Sequence, residues 1–238
     1  MPSTTLTNSP LFSWLLGYEA KRKQLLNKAP AGALRDFLSV PMPSMATPID
    51  KVAILAVDFE TTGLNAKQDK LLSVGFITLR QQQMSLKTSY HQIIKTKAQL
   101  EESNVIIHHI TDSQKEQGQA LATVVEALLK ALAGKVMLVH FARIEKQFLT
   151  EACHHIYGMA PIFPMIDTLA LAKRRLDKRD VAYDPSELRL ANLRHKMQLP
   201  EHHGHNALND AIATAELFMA QMSKANKDGK ITLKDVLL

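Results

Sequence analysis

The run Val52-Ala53-Ile54-Leu55-Ala56-Val57 is apolar at every position. With no polar side to turn toward water, it predicts a central strand covered on both faces. The turn residues Thr62-Gly63-Leu64-Asn65 follow. Leu71–Leu79 and Met84–Ile94 read as two further strands, and the polar Arg80–Gln83 between them predicts an antiparallel hairpin. The period then becomes helical. Ala120, Val124, Ala127, Leu128 and Ala131 share one side of a helix predicted over Ser113–Leu132. Lys135–Val139 predicts a fourth strand, Arg143–Tyr157 a helix, and Ile162–Ile166 a fifth strand leading into a helix from Thr168. Ala207–Met222 predicts a long helix with Leu208, Ala211, Ile212, Ala215, Phe218 and Met222 on one side. Three strands followed by alternating helices and strands imply an α/β domain whose mixed sheet carries helices on both faces.

The first fifty residues differ. Pro10, Pro30, Pro41, Pro43 and Pro48 punctuate them, and Pro41–Pro48 reads as a linker. Leu11–Asn27 has helical apolar spacing with a basic far side, and Ala31–Leu38 predicts a second short helix. The expected organisation is a helical extension and linker over 1–50, a main domain over 51–223 and a tail over 224–238. The extension is expected to pack on the main domain or on a partner.

Composition narrows the class. The chain has 238 residues, 46% hydrophobic and 22% charged, which suits a globular core and excludes a disordered or collagen-like chain. Its one cysteine, Cys153, excludes an internal disulfide framework and a Cys-rich zinc site, and predicts a buried thiol. No apolar run approaches the roughly 20 residues of a membrane span. The basic cluster Lys21-Arg22-Lys23 follows the apolar Pro10–Leu16 stretch, the reverse of a secretory signal, so a cytoplasmic protein with no membrane partner is expected. A net charge of +6 suits a polyanion-binding surface.

Three places carry chemistry. Asp58-Phe59-Glu60 ends the first strand, and side-chain alternation puts both carboxylates on one face, where they form a natural site for a hard cation. His205-Asn206-Ala207-Leu208-Asn209-Asp210 opens the last long helix. Five helical steps would turn His205 about 140° away from Asp210, so the two converge only if His205 lies on the loop before an Asn206 cap. The third is Val139-His140-Phe141-Ala142-Arg143-Ile144-Glu145, with Glu145 in the first turns of a helix. Asp167 reads as the cap of the helix from Thr168, and His202 and His203 as surface residues. Lys173, Arg174, Arg175, Lys178 and Arg179 read either as lining for a nucleic-acid strand or as a solvated face. The tail Asn226–Asp235 imitates a calcium loop but has Lys224 at the first ligand position, which excludes that use.

In this order and spacing the pieces resemble the DEDDh exonucleases, a family that includes epsilon-type proofreading subunits, ribonuclease T and oligoribonuclease. The resemblance covers about residues 51–222. Val57-Asp58-Phe59-Glu60-Thr61-Thr62-Gly63 is similar to the first motif, and His205, Ala207 and Asp210 to the third, His-x-Ala-x-x-Asp. Ile107-His108-His109-Ile110-Thr111 resembles the segment usually read His-Gly-Ile-Thr, and Phe163–Thr168 the Asp-Thr segment. The second motif, of the form His-Asn-x-x-Phe-Asp, aligns on His140 and puts Glu145 where the family has aspartate.

The resemblance implies a ribonuclease H-like three-layer α/β/α fold, its first three strands antiparallel and the rest parallel. It implies two divalent cations, Mg²⁺ or Mn²⁺, about 3.5–4 Å apart. Asp58, Glu60 and Asp210 would hold the first; Asp58, with Glu145 through water, would hold the second. His205 would be the base, a histidine's ordinary pKa of about 6.5 suiting that task. Thr61, Thr62 and Gly63 would meet the terminal 3′-hydroxyl, with His140 also beside the substrate. Leu64 and Phe59 would wedge against the terminal base, Phe59 being equally suited to the core. The implied substrate is a single-stranded 3′ end, DNA ahead of RNA, with a polymerase or other protein as a further partner. The alternatives are an RNA or oligoribonucleotide exonuclease, or a nucleic-acid- or polymerase-binding module whose catalysis has weakened.

Overall fold

The computed structural model describes residues 10–96, 110, 112–180 and 182–238. The predicted Ile107–Thr111 motif lies outside the described residues except for Ile110, which is buried. Strand β1 (Ile54–Thr61) is central, and β2 (Leu71–Arg80) and β3 (Gln83–Ile93) continue from it antiparallel. On its other side β4 (Val136–Val139) and β5 (Met165–Asp167) run parallel to it. The order β3-β2-β1-β4-β5 is the mixed sheet expected. Gln81 and Gln82 turn the β2–β3 hairpin with φ of 49° and 57°. This left-handed pair matches the twist of the strands it joins.

Alternation along β1 sorts its residues between two apolar layers. Leu55, Val57 and Phe59 pack with α4 (Leu121–Leu132), α5 (Arg143–Tyr157) and α2 (Ala33–Ser39). Ile54 and Ala56 face the other way, against α8 (Ala207–Ala225) and the short α9 (Leu233–Val236). The outcome is three layers, α/β/α. The N-terminal helix α1 (Pro10–Lys28) leads into α2, which buries Leu34, Phe37 and Leu38 against the main domain. Cys153 is buried in the same layer. No helix among the described residues is long and apolar enough to cross a membrane.

Two expectations are corrected. The helix predicted over Ser113–Leu132 is broken: α3 (Asp112–Glu116) stops before Gly118, and α4 starts at Leu121. A Cβ on Gly118 would lie 2.7 Å from the Lys95 backbone nitrogen, and Gln119 bridges Ile94, so a close backbone crossing replaces a helical turn. The fifth strand starts at Met165, after Pro164; its predicted first half contains proline, which has no N–H to give a sheet. Residues 231–237 fold back onto the sheet: Thr232 bridges Pro48, Leu237 bridges Ile166, and Leu233 and Val236 are buried.

Candidate active site

Asp58 and Glu60 leave β1 on the face that α8 covers. Asp58 stands opposite Gly75 of β2, and Glu60 opposite Ser73. Gly75 determines what happens next. A Cβ there would lie 2.2 Å from backbone atoms of Ala207 and Leu208, so only glycine lets the first turn of α8 rest on the sheet beside Asp58. Asn206 caps that turn through the Asn209 N–H, and His205 sits outside it with φ of 66°. The loop placement needed for His205 and Asp210 to converge is therefore present. The His205 N–H donates to Asp210 Oδ2 at 2.7 Å. Ligand oxygens of Asp58, Glu60 and Asp210 all lie within 4.8 Å of one another.

Glu145 enters from the first turn of α5 and is 3% exposed. It stands outside the three-carboxylate group, yet its charge acts directly on Asp58. Burial raises the Asp58 carboxyl well above its ordinary range, and Glu145, Asp210 and Glu60 add to the shift in that order. Burial also pushes Glu145 up to about 8; its own N–H opposes this and Asp167 adds to it. Asp210 is raised by burial and Glu60, with His202 pulling the other way. No lysine or arginine forms a salt bridge with Asp58, Glu145 or Asp210 among the described residues, and Glu145 Oε2 has no hydrogen-bond partner among them. Crowded, buried oxygen donors that favour an added positive charge fit a hard divalent cation.

The other predicted residues fall into distinct places. His202, read as a surface residue, is instead mostly covered, with Nε2 3.0 Å from Asp210 Oδ1. Phe59 belongs to the apolar layer at 6% exposure, because alternation turns it away from its acidic neighbours, the placement its core alternative expected. Leu64 is 73% exposed on the loop after β1. Thr61 Oγ1 donates to the Gly63 carbonyl at 2.7 Å. Asp69, which the sequence did not single out, organises this loop by accepting from the Asn65 N–H at 2.8 Å and Thr62 Oγ1 at 3.2 Å. A Cβ on Gly63 would come within 2.5 Å of the Asp69 carboxylate.

The ring of His140 is buried, with Nδ1 2.8 Å from Thr168 Oγ1, and burial pushes its pKa down to about 4. That placement makes it a neutral part of the framework. Asp167 caps α6 (Thr168–Asp177) as expected, through the Leu169 N–H. It also accepts from the N–H groups of Phe141 and Ala142, each at 3.0 Å, which ties the start of α5 to β5. Arg194, 3% exposed on α7 (Leu190–Lys196), donates to the carbonyls of Ala213 and Pro200 and pairs with Glu216 at 2.7 Å. It thereby anchors the loop that delivers His202 and His205. Nothing in the sequence marked it out.

Residues 55–218 match the family model RNase_T, described as exonuclease. The PolC-type DNA polymerase III of Thermotoga petrophila is 28% identical over 189 residues, covering 79% of this chain and 13% of that protein. The epsilon subunit of DNA polymerase III from Treponema pallidum is 25% identical over 73% of this chain and 78% of its own. This chain thus spans only 13% of the length of its PolC-type relatives. The nuclease domain of 3′hExo, a DEDDh family member bound to rAMP, has a TM-score of 0.61 at 17% identity, covering 78% of this chain and 95% of that domain. Exonuclease X in complex with 5′ overhanging duplex DNA gives 0.56 at 17% identity, covering 73% of this chain and 93% of its own. At these identities the structural likeness establishes the fold.

Proposed function

The chain belongs to the RNase_T exonuclease family, and from that premise we propose that it removes nucleotides from the 3′ ends of single-stranded DNA as nucleoside 5′-monophosphates. The observation that carries this reading is the convergence of Asp58, Glu60 and Asp210 within 4.8 Å, with buried Glu145 pressing on the same spot.

Asp58, Glu60 and Asp210 would hold one Mg²⁺ or Mn²⁺ ion, and Asp58, with Glu145 through water, would hold a second. When bound, they supply positive charge to the phosphate and to the departing oxygen. The chain's own residues do the rest. His205, fixed in register by the bond from its N–H to Asp210, takes a proton from the attacking water at a ring nitrogen. The water oxygen bonds to phosphorus, and the bond from phosphorus to the 3′ oxygen of the preceding nucleotide breaks. That oxygen then takes up a proton. Thr61, Thr62 and Gly63 hold the terminal 3′-hydroxyl on the loop that Asp69 braces, and exposed Leu64 meets the terminal base. Glu145 replaces aspartate as a working ligand, its longer side chain reaching inward from α5. A polymerase partner is proposed from the names of the PolC-type and epsilon relatives.

The test is digestion of 5′-labelled single-stranded DNA and RNA with Mg²⁺, Mn²⁺ or EDTA. Stepwise shortening of DNA that needs a divalent metal and is lost in Asp58→Ala is the expected result. Endonucleolytic cuts, a preference for RNA, or activity that survives EDTA would overturn the corresponding part of the reading.

A further inference from the structure

Phe141 is an anomaly in two independent ways. Its φ is 74°, in the left-handed region that a bulky residue occupies only with strain. The residue is also 43% exposed, and it is the one exposed phenylalanine whose side chain the structure describes. The second motif reads asparagine at this position, and asparagine fits left-handed backbone with little strain. Phenylalanine brings strain here and still leaves much of its surface open to solvent. Asp167 nonetheless clamps the turn, accepting from the N–H groups of Phe141 and Ala142, so the ring is presented on a fixed backbone.

The ring borders a cavity of about 820 Å³ between the loop after β1 and the open side of α5. Lys67, Arg143 and Lys146 stand around it, with Gln147 and Leu238. None of the three cations forms a salt bridge among the described residues. Of the two acids that line it, Asp167 spends its carboxylate on backbone N–H groups, which leaves Glu151. The elements that form the cavity also carry the acids: its loop follows β1, which ends at Thr61 just past Glu60, and its helix carries Glu145 on the buried side while Arg143, Lys146 and Gln147 face out. An exposed aromatic face among unpaired cations is what a base and its flanking phosphates need, since any base can stack and any phosphate can pair.

We propose that Phe141, with Lys67, Arg143 and Lys146, forms a nucleobase-stacking subsite that holds one nucleotide of the single strand next to the catalytic carboxylates. The subsite rests on the exonuclease reading and extends it.

The test measures anisotropy of a labelled oligothymidylate in EDTA, alongside KM and kcat on the same strand with Mg²⁺. Phe141→Asn is expected to weaken binding and raise KM by about tenfold, the loss of one base stack, with a much smaller change in kcat. Its thermal midpoint is expected to hold or rise, since asparagine relieves the backbone. Phe141→Trp is expected to bind like the wild type. Replacing Arg143 and Lys146 by alanine is expected to reduce the slope of log affinity against log salt by about 0.7 per cation. An abasic site moved inward from the 3′ end is expected to weaken wild-type binding at one position and to leave Phe141→Asn indifferent there. Equal affinity for the wild type and Phe141→Asn overturns the subsite, as does Phe141→Trp binding no better than Phe141→Asn. A wild-type protein that shortens no strand overturns the exonuclease reading instead, and binding in EDTA still decides the subsite.

Discussion

Glu145 shows how far one side chain departs from solution behaviour. Its folded carboxyl titrates near 8 because it is buried, whereas in the unfolded chain it titrates near 4.3. Between those values the folded state holds a proton that the unfolded state has lost. The metal-free protein therefore loses stability as pH rises through that window. In EDTA, the thermal midpoint is expected to fall from pH 5 to pH 8, and Glu145→Gln, which carries no titrating proton, is expected to flatten that fall. Asp58 keeps some slope, being raised too. An unchanged slope in Glu145→Gln would place its carboxyl outside this coupling. Asp58 and Glu60 were legible as a pair because alternation along β1 is local, whereas Asp210 and Glu145 were joined to them only by the family resemblance. His202 was not legible, since nothing nearby in the chain marks a ring that meets Asp210 through a loop. Asp69 was hidden for the same reason.

At the scale of elements, the site depends on how closely α8 approaches β2. Gly75→Ala puts a methyl group into the backbone of Ala207 and Leu208. The expected cost is about 1–3 kcal/mol, the usual range for overpacking, read from urea denaturation. Activity is expected to fall further than this loss of stability explains, because Asp210 moves with the helix. Full activity in a destabilised Gly75→Ala would separate the packing from the chemistry. The run Leu71–Leu79 announced a strand but not this contact, because a glycine in a strand does not say which backbone approaches it. The break at Gly118 was missed in the same way: helical periodicity continued through Ser113–Leu132, and the crossing at Lys95 overrode it.

Across the whole molecule, α8 and α9 close one layer while the N-terminal half of α8 completes the acidic cluster. The fold class was readable because strand and helix periods alternate along the chain. The return of residues 231–237 was not, since a segment this short has no period to read. Leu233, fully buried in that return, is expected to cost about 2–5 kcal/mol as Leu233→Ala, measured by denaturation, with the metal requirement unchanged. Millimolar Mn²⁺ is expected to raise the thermal midpoint, and to raise it more at pH 8 than at pH 6, where protons compete for the same oxygens. A shift that survives Asp58→Asn in full would assign the ion to another place.

The contact at Gly75 also bears on how a site of this kind would be lost in evolution. A descendant keeping every acid and the histidine, but acquiring a side chain at that strand position, would retain a complete-looking inventory and is expected to hold its acids out of register. Judging whether a sequence of this type remains active therefore requires looking at a residue that takes part in no chemistry.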